Sequence, residues 1–254
     1  MNNKYFGNAL DLFKFDVIEH ITKKDGRLLF YAPMLTIPET KKLDPKYIKY
    51  EVGENNTPLL TFMKKTFDSQ DEIEVKDIRR YFKEANINYQ MVVEESDNDS
   101  HSFSLRNIKF FNDENRSEYF EAVIHRFKKI SSPALFFIDP DVGLEHNVIR
   151  RVRSMRQRYL LNDELKTIIQ NCKENDLICY FQHLGNHNYP IEKRMFELRE
   201  EFGEHIVLFG YKRILGSLVF IAKNNVQIQQ LKSLIEDYKN GYRNMGNYDK
   251  IIFE

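Results

Sequence analysis

Five uninterrupted apolar residues, Ala134-Leu135-Phe136-Phe137-Ile138, run directly into Asp139-Pro140-Asp141. A strand without polar alternation has no face to give to water, so it must be covered on both sides, as a central strand of a parallel α/β sheet is. Helices then have to supply both covering layers. In open sheets of this kind ligands bind beyond the carboxyl ends of the strands. The acids that follow Ile138 therefore stand where chemistry is expected.

The rest of the chain supplies matching elements. Apolar residues recur at helical steps over 8–23, from about Thr57, and over 77–85, 116–130, 163–173, 190–202 and 226–240. Strand-type runs cover 27–33, 47–52, 88–93, 103–108, 177–181, 206–211, 217–222 and 251–253, with 34–40 a loop and 94–102 an exposed turn. Residues 212–216 are too few for a crossover helix, so the strands on either side pair as an antiparallel hairpin. The expectation is one domain over 1–254, α/β and Rossmann-like, with a mostly parallel sheet that closes in this hairpin.

A chain of 254 residues with 42% hydrophobic residues can bury one large core. Lys+Arg 38 against Asp+Glu 38 gives no molecule-wide field that would draw the protein to nucleic acid or to an anionic membrane. Any nucleic-acid site must be a local patch. No apolar run approaches the roughly 20 residues of a membrane helix, and Met1-Asn2-Asn3-Lys4-Tyr5 lacks the apolar stretch of a signal peptide. A cytoplasmic protein with no membrane partner is expected. Cys172 and Cys179 lie in apolar patterns without metal-type spacing, which suits reduced, buried thiols.

Asp139, Asp141 and Glu145 are three acids within seven residues, at a chain break made by Pro140 and Gly143. Oxygen ligands so spaced can hold Mg²⁺ or Mn²⁺ or share a proton; the plainer alternative is a cap at Asp139 and two solvated acids. Gln182 and His183 end the next strand and would stand beside that loop, His183 as base, ligand or structural histidine. Arg150, Arg151, Arg153, Arg156 and Arg158 follow the acids and could grip phosphate, or form a solvated helix face. Glu74-Val75-Lys76 has a nuclease-like spacing, but triplets of that kind arise by chance in a chain with 30% charged residues.

Gly7-Asn8-Ala9-Leu10-Asp11-Leu12-Phe13-Lys14 resembles the Gly-Asn-x-x-Asp-x-x-Lys element of the bacterial large-subunit rRNA adenine-N6 methyltransferases of the J type. Ile138-Asp139-Pro140 resembles the start of their Asp-Pro-Pro-Tyr motif, and Ser217-Leu218-Val219-Phe220-Ile221 is similar to their closing strand. Tyr5-Phe6-Gly7, Asp139 to Glu145 and Tyr180-Phe181-Gln182-His183 also resemble elements of a group of uncharacterised bacterial proteins. The methyltransferase pattern is broken in two places. Tyr31-Ala32-Pro33-Met34-Leu35-Thr36-Ile37 contains no glycine where the cofactor loop is expected, and Asp141-Val142 replace the second Pro and the Tyr.

Three functions follow as expectations. The first is metal-dependent phosphodiester cleavage, with Asp139, Asp141 and Glu145 as metal ligands, His183 as base, Lys14, Arg153 and Arg156 on phosphate, and Asp11 and Gln182 on substrate. The second, implied by the resemblance, is S-adenosylmethionine-dependent methylation of adenine in DNA or RNA. Asp139 would accept the exocyclic amine, Asp11 and Lys14 would shape the cofactor pocket, and the missing glycine loop disfavours the cofactor. The third is a non-catalytic sensor of nucleotide or nucleic acid.

Overall fold

Side chains alternate across a strand, so each strand of a two-faced sheet must present apolar residues in both directions. The computed structural model, which describes residues 6–36, 52–68, 77–92, 111–146, 153–184, 191–211, 215–241 and 251–253, has this arrangement. Helices are α1 (Ala9–Asp25), α2 (Thr57–Asp68), α3 (Ile78–Glu84), α4 (Arg116–Lys128), α5 (Asn162–Asn171), α6 (Ile191–Phe202) and α7 (Asn225–Gly241). Strands are β1 (Leu28–Pro33), β2 (Tyr89–Met91), β3 (Ala134–Asp139), β4 (Gly143–Leu144), β5 (Tyr159–Leu160), β6 (Leu177–His183), β7 (Ile206–Tyr211), β8 (Gly216–Ile221) and β9 (Ile251–Phe253).

The main sheet runs in the order β2-β1-β3-β6-β8-β7-β9. Pairing is parallel from β2 to β6 and antiparallel from β6 through β8 and β7 to β9. The expected hairpin is therefore present, and β8 lies inside the sheet between β6 and β7. In β1, Leu29 and Tyr31 face a core shared with α1, α2, α3 and α7, while Leu28, Phe30 and Ala32 face one shared with α4, α5 and α6. The fold is thus a three-layered α/β structure.

Helix α1 is buried nearly all round, its apolar residues packed in the core and its Asp11, Lys14, Asp16 and Glu19 side chains buried as well. Phe13, Phe15, Val17, Ile18 and Ile21 are all at 0% exposure. Each such side chain contributes about 1.5–3 kcal/mol on burial. Asn8 starts the helix and Gly26, at φ +69°, ends it in the left-handed conformation that glycine accepts without strain.

Some details depart from expectation. β4 and β5 pair in parallel as a second, two-stranded sheet beside the acidic loop. The described part of the basic stretch, Arg153–Arg158, is a 3-10 helix leading into β5. The strands expected over 103–108 and, apart from Val52, over 47–52, and the turn over 94–102, lie outside the described residues. Both cysteines are free and buried, and burial pushes the Cys172 thiol up to about 12. Among the described residues no helix is long and apolar enough to cross a membrane.

Candidate functional site

The Gly7 to Lys14 element is built to aim one lysine. Gly7 sits at φ +92°, where a Cβ would fall 2.8 Å from the Met63 carbonyl oxygen, so only glycine fits. Its N–H donates to Asp11 Oδ2 at 2.9 Å. Asn8 Oδ1 accepts from Leu10 N (2.9 Å) and Asp11 N (3.1 Å), satisfying free donors of the first helical turn. Lys14 follows Asp11 by three residues, on the same helix face. Its Nζ lies 2.7 Å from Asp11 Oδ1, and donates to Asp139 Oδ1 and Oδ2 at 3.0 and 2.9 Å.

Tyr31 completes the cluster, its hydroxyl donating to Asp139 Oδ2 at 3.1 Å. Sequence reasoning missed it. A single hydroxyl in a strand covered on both faces was the available signal, because a buried O–H needs an acceptor. The cluster is nearly dry, with side-chain exposures of 4% for Lys14, 5% for Asp11 and 0% for Asp139. Burial drives the Asp11 carboxyl up, while Lys14 and the Gly7 N–H act against it. For Lys14 burial pulls downward, but Asp11 and Asp139 outweigh it and the ammonium is held in its charged form. Burial and the Asp139 charge push the Tyr31 phenol well up, so it stays a donor. Phe181 covers the ammonium with its ring centroid 4.9 Å from Nζ.

The cluster sits at the carboxyl ends of β1 and β3, where Pro33 is in register with Asp139. From β1 the chain goes on to β2 at the sheet edge, and from β3 it goes on to β6 on the other side. In open α/β sheets such a divergence is where ligands bind. Here Met34 N still donates to Asp139 O at 3.2 Å, so β1 and β3 stay joined past their ends. Tyr119 OH holds the Pro33 carbonyl at 2.7 Å and Phe111 N holds that of Leu35 at 2.7 Å. Met34 is fully buried, and no glycine occurs between Gly26 and Gly53. The described part of this joint, through Thr36, therefore has neither a glycine nor an open backbone of the kind a closely approaching cofactor needs.

The three acids point three ways. Asp139 turns inward to Lys14 and Tyr31. Asp141 accepts from Arg158 Nε at 2.8 Å; burial alone would raise its carboxyl, but neighbouring positive charge, Arg158 included, holds it below the ordinary range. Glu145 Oε1 accepts the N–H of Asn162, the first residue of α5, an acid placed against the positive end of a helix. Among the described residues no group of three His, Cys, Asp or Glu could hold a metal ion. The ligand set expected from spacing is therefore not assembled: the chain bends after Pro140, and Glu145 bonds the start of a different helix.

Gln182 is committed to backbone, accepting Leu144 N and donating to His183 O, each at 3.0 Å. It shapes the loop rather than offering an amide to substrate. His183 does stand beside the acidic loop, its N–H on Val142 O at 2.8 Å. Its ring Nδ1 lies 3.3 Å from Leu215 O, which assigns the proton to Nδ1 and the lone pair to Nε2. Burial lowers its pKa to about 4, so the ring is neutral at neutral pH. Arg156 gives its carbonyl to Arg116 at 2.7 Å. Arg116 also grips both Glu164 oxygens at 2.7 Å and lies 4.7 Å from the Phe111 ring centroid, fixing the basic segment on the fold. The side chain of Arg153, and all of Arg150 and Arg151, lie outside the described residues.

Neither a family model nor a curated protein matches the chain. Among solved structures it is similar to the crystal structure of protein LPL1258 from Legionella pneumophila, a DUF519 protein. The identity is 13%, the likeness covers 98% of this chain and 96% of that one, and the TM-score is 0.40.

Proposed function

We propose that the chain is a methyltransferase-like, Rossmann-type protein that recognises a nucleobase, free or in nucleic acid, at the Asp139 cleft, with Asp139 as acceptor for an exocyclic amine. One observation carries this reading: Lys14 and Asp139, 125 residues apart and each from one of the two motifs that resemble the adenine methyltransferases, are bonded to each other. Buried charges are expensive, and a site that retains them at the carboxyl ends of central strands is a functional candidate. The insertion of β8 antiparallel between β6 and β7 supports the same scaffold.

Recognition is favoured over methyl transfer because the joined ends of β1 and β3 do not fit the cofactor. It is favoured over metal-dependent cleavage because Asp139, Asp141 and Glu145 hold three unrelated partners. Arg156 and Arg158, on the rim, would meet phosphate groups.

Thermal denaturation with added ligand tests the reading, since a molecule that binds only the folded state raises its melting temperature. Adenosine raises it, and Asp139→Asn removes the rise. No shift with adenosine at millimolar concentration sinks the proposal. A shift with S-adenosylhomocysteine restores methyl transfer, and one with Mn²⁺ that is lost in Asp139→Ala restores metal-dependent cleavage.

A further inference from the structure

We infer that Lys14 is a displaceable internal occupant of the Asp139 acceptor site, with Asp11 as the second position to which its ammonium withdraws when a ligand amine enters. This rests on reading Asp139 as the amine acceptor. In the structure the ammonium already bridges both positions, 2.7 Å from Asp11 Oδ1 and 2.9 to 3.0 Å from the Asp139 oxygens. Withdrawal therefore needs a small side-chain rotation and passes through no state in which the cation lacks a carboxylate. A buried charge left alone would cost several kcal/mol, so a second carboxylate is the condition for the exchange.

The other parts suit the same motion. Asp11 is fixed in place, because its Oδ2 receives the Gly7 N–H at 2.9 Å and its own N–H is held by Asn8. Tyr31 stays on Asp139 Oδ2 when Lys14 leaves, so the carboxylate that meets the ligand keeps one donor. Phe181 offers its ring face, 4.9 Å from Nζ, alongside the path. The ligand must outcompete an internal ammonium, so affinity is reduced by the fraction of molecules in which Lys14 holds Asp139.

Calorimetric titration with adenosine of the full chain, Asp11→Asn and Lys14→Gln tests the exchange. Asp11→Asn confines Lys14 to Asp139 and weakens adenosine at least tenfold, whereas Lys14→Gln removes the competitor and tightens it. Binding by Lys14→Gln alone, with none by the unmodified chain, overturns the exchange, because Lys14 then does not yield to the ligand. Equal affinity in Asp11→Asn and the unmodified chain overturns the exchange and leaves the reading of Asp139 standing. No binding by either the unmodified chain or folded Lys14→Gln overturns both. If Lys14→Gln fails to fold, the ¹⁵Nζ resonance of Lys14 in the unmodified protein decides: it shifts and stays protected when adenosine saturates, and a resonance that does not move overturns the exchange.

Discussion

Gly143 stands against the side-chain amide of Gln182, so close that a Cβ at position 143 would come within 2.6 Å of Cδ, Nε2 and Oε1. At φ +136° no other residue is comfortable there. Beside this contact Leu144 N donates to Gln182, and β4 pairs with β5. Gly143→Ala strains the backbone and pushes the Gln182 amide off its backbone partners, so it lowers the free energy of unfolding by about 1–3 kcal/mol. Urea titration measures it, and a loss below about 0.5 kcal/mol contradicts the packing described.

The Lys14 to Asp139 pair makes a separate demand on stability. Lys14→Met leaves buried carboxylates without their cation and costs about 3–5 kcal/mol. Adding Asp139→Asn to Lys14→Met recovers part of that loss, because the uncompensated charge is what costs. Simple additivity in a double-mutant cycle would mean that the two groups do not interact.

His183 gives the fold an acid limb. Its pKa is lowered to about 4 by burial, against roughly 6.5 for an unfolded chain. Between those values the unfolded state binds a proton that the folded state refuses. Stability is therefore full above about pH 6.5 and falls as pH drops toward 4, by about 2–3 kcal/mol in total from this group. Denaturant titrations from pH 7 to 4 show the slope, and His183→Gln flattens it. An imidazole that titrates near 6.5 by NMR in the folded protein would refute the assignment.

Arg116 ties α4 to α5 and to the basic segment through a planar fork, with Glu164 and the Arg156 carbonyl as its partners. Lysine keeps the charge but not the fork. Arg116→Lys costs about 2 kcal/mol by thermal melt and loosens the rim that carries Arg156. A neutral substitution would show that charge alone suffices.

The architecture was legible because it rests on patterns with a strong physical cause. The unbroken run before Asp139 required covering on two sides, and the short 212–216 link required a hairpin. The site was legible only in part. Asp11, Lys14 and Asp139 were named from two motifs, and they meet. Spacing alone groups Asp141 and Glu145 with Asp139, and spacing cannot show that they bond Arg158 and the Asn162 N–H instead. Tyr31 and Arg116 escaped because each acts across the sheet or between layers, on partners far away in sequence. Lys14 faces carboxylates in the interior, a placement that motif spacing alone does not reveal.

Fluorescence anisotropy with short single-stranded oligodeoxynucleotides tests the central claim most directly, because adenine carries an exocyclic amine and thymine does not. Recognition at Asp139 requires oligo-dA to bind the unmodified protein roughly tenfold more tightly than oligo-dT, about the value of one hydrogen bond to a charged group, with the preference erased by Asp139→Asn. Equal binding of the two oligonucleotides, or a preference that survives Asp139→Asn, would place any nucleic-acid contact elsewhere and leave the cleft a structural ion-pair cluster.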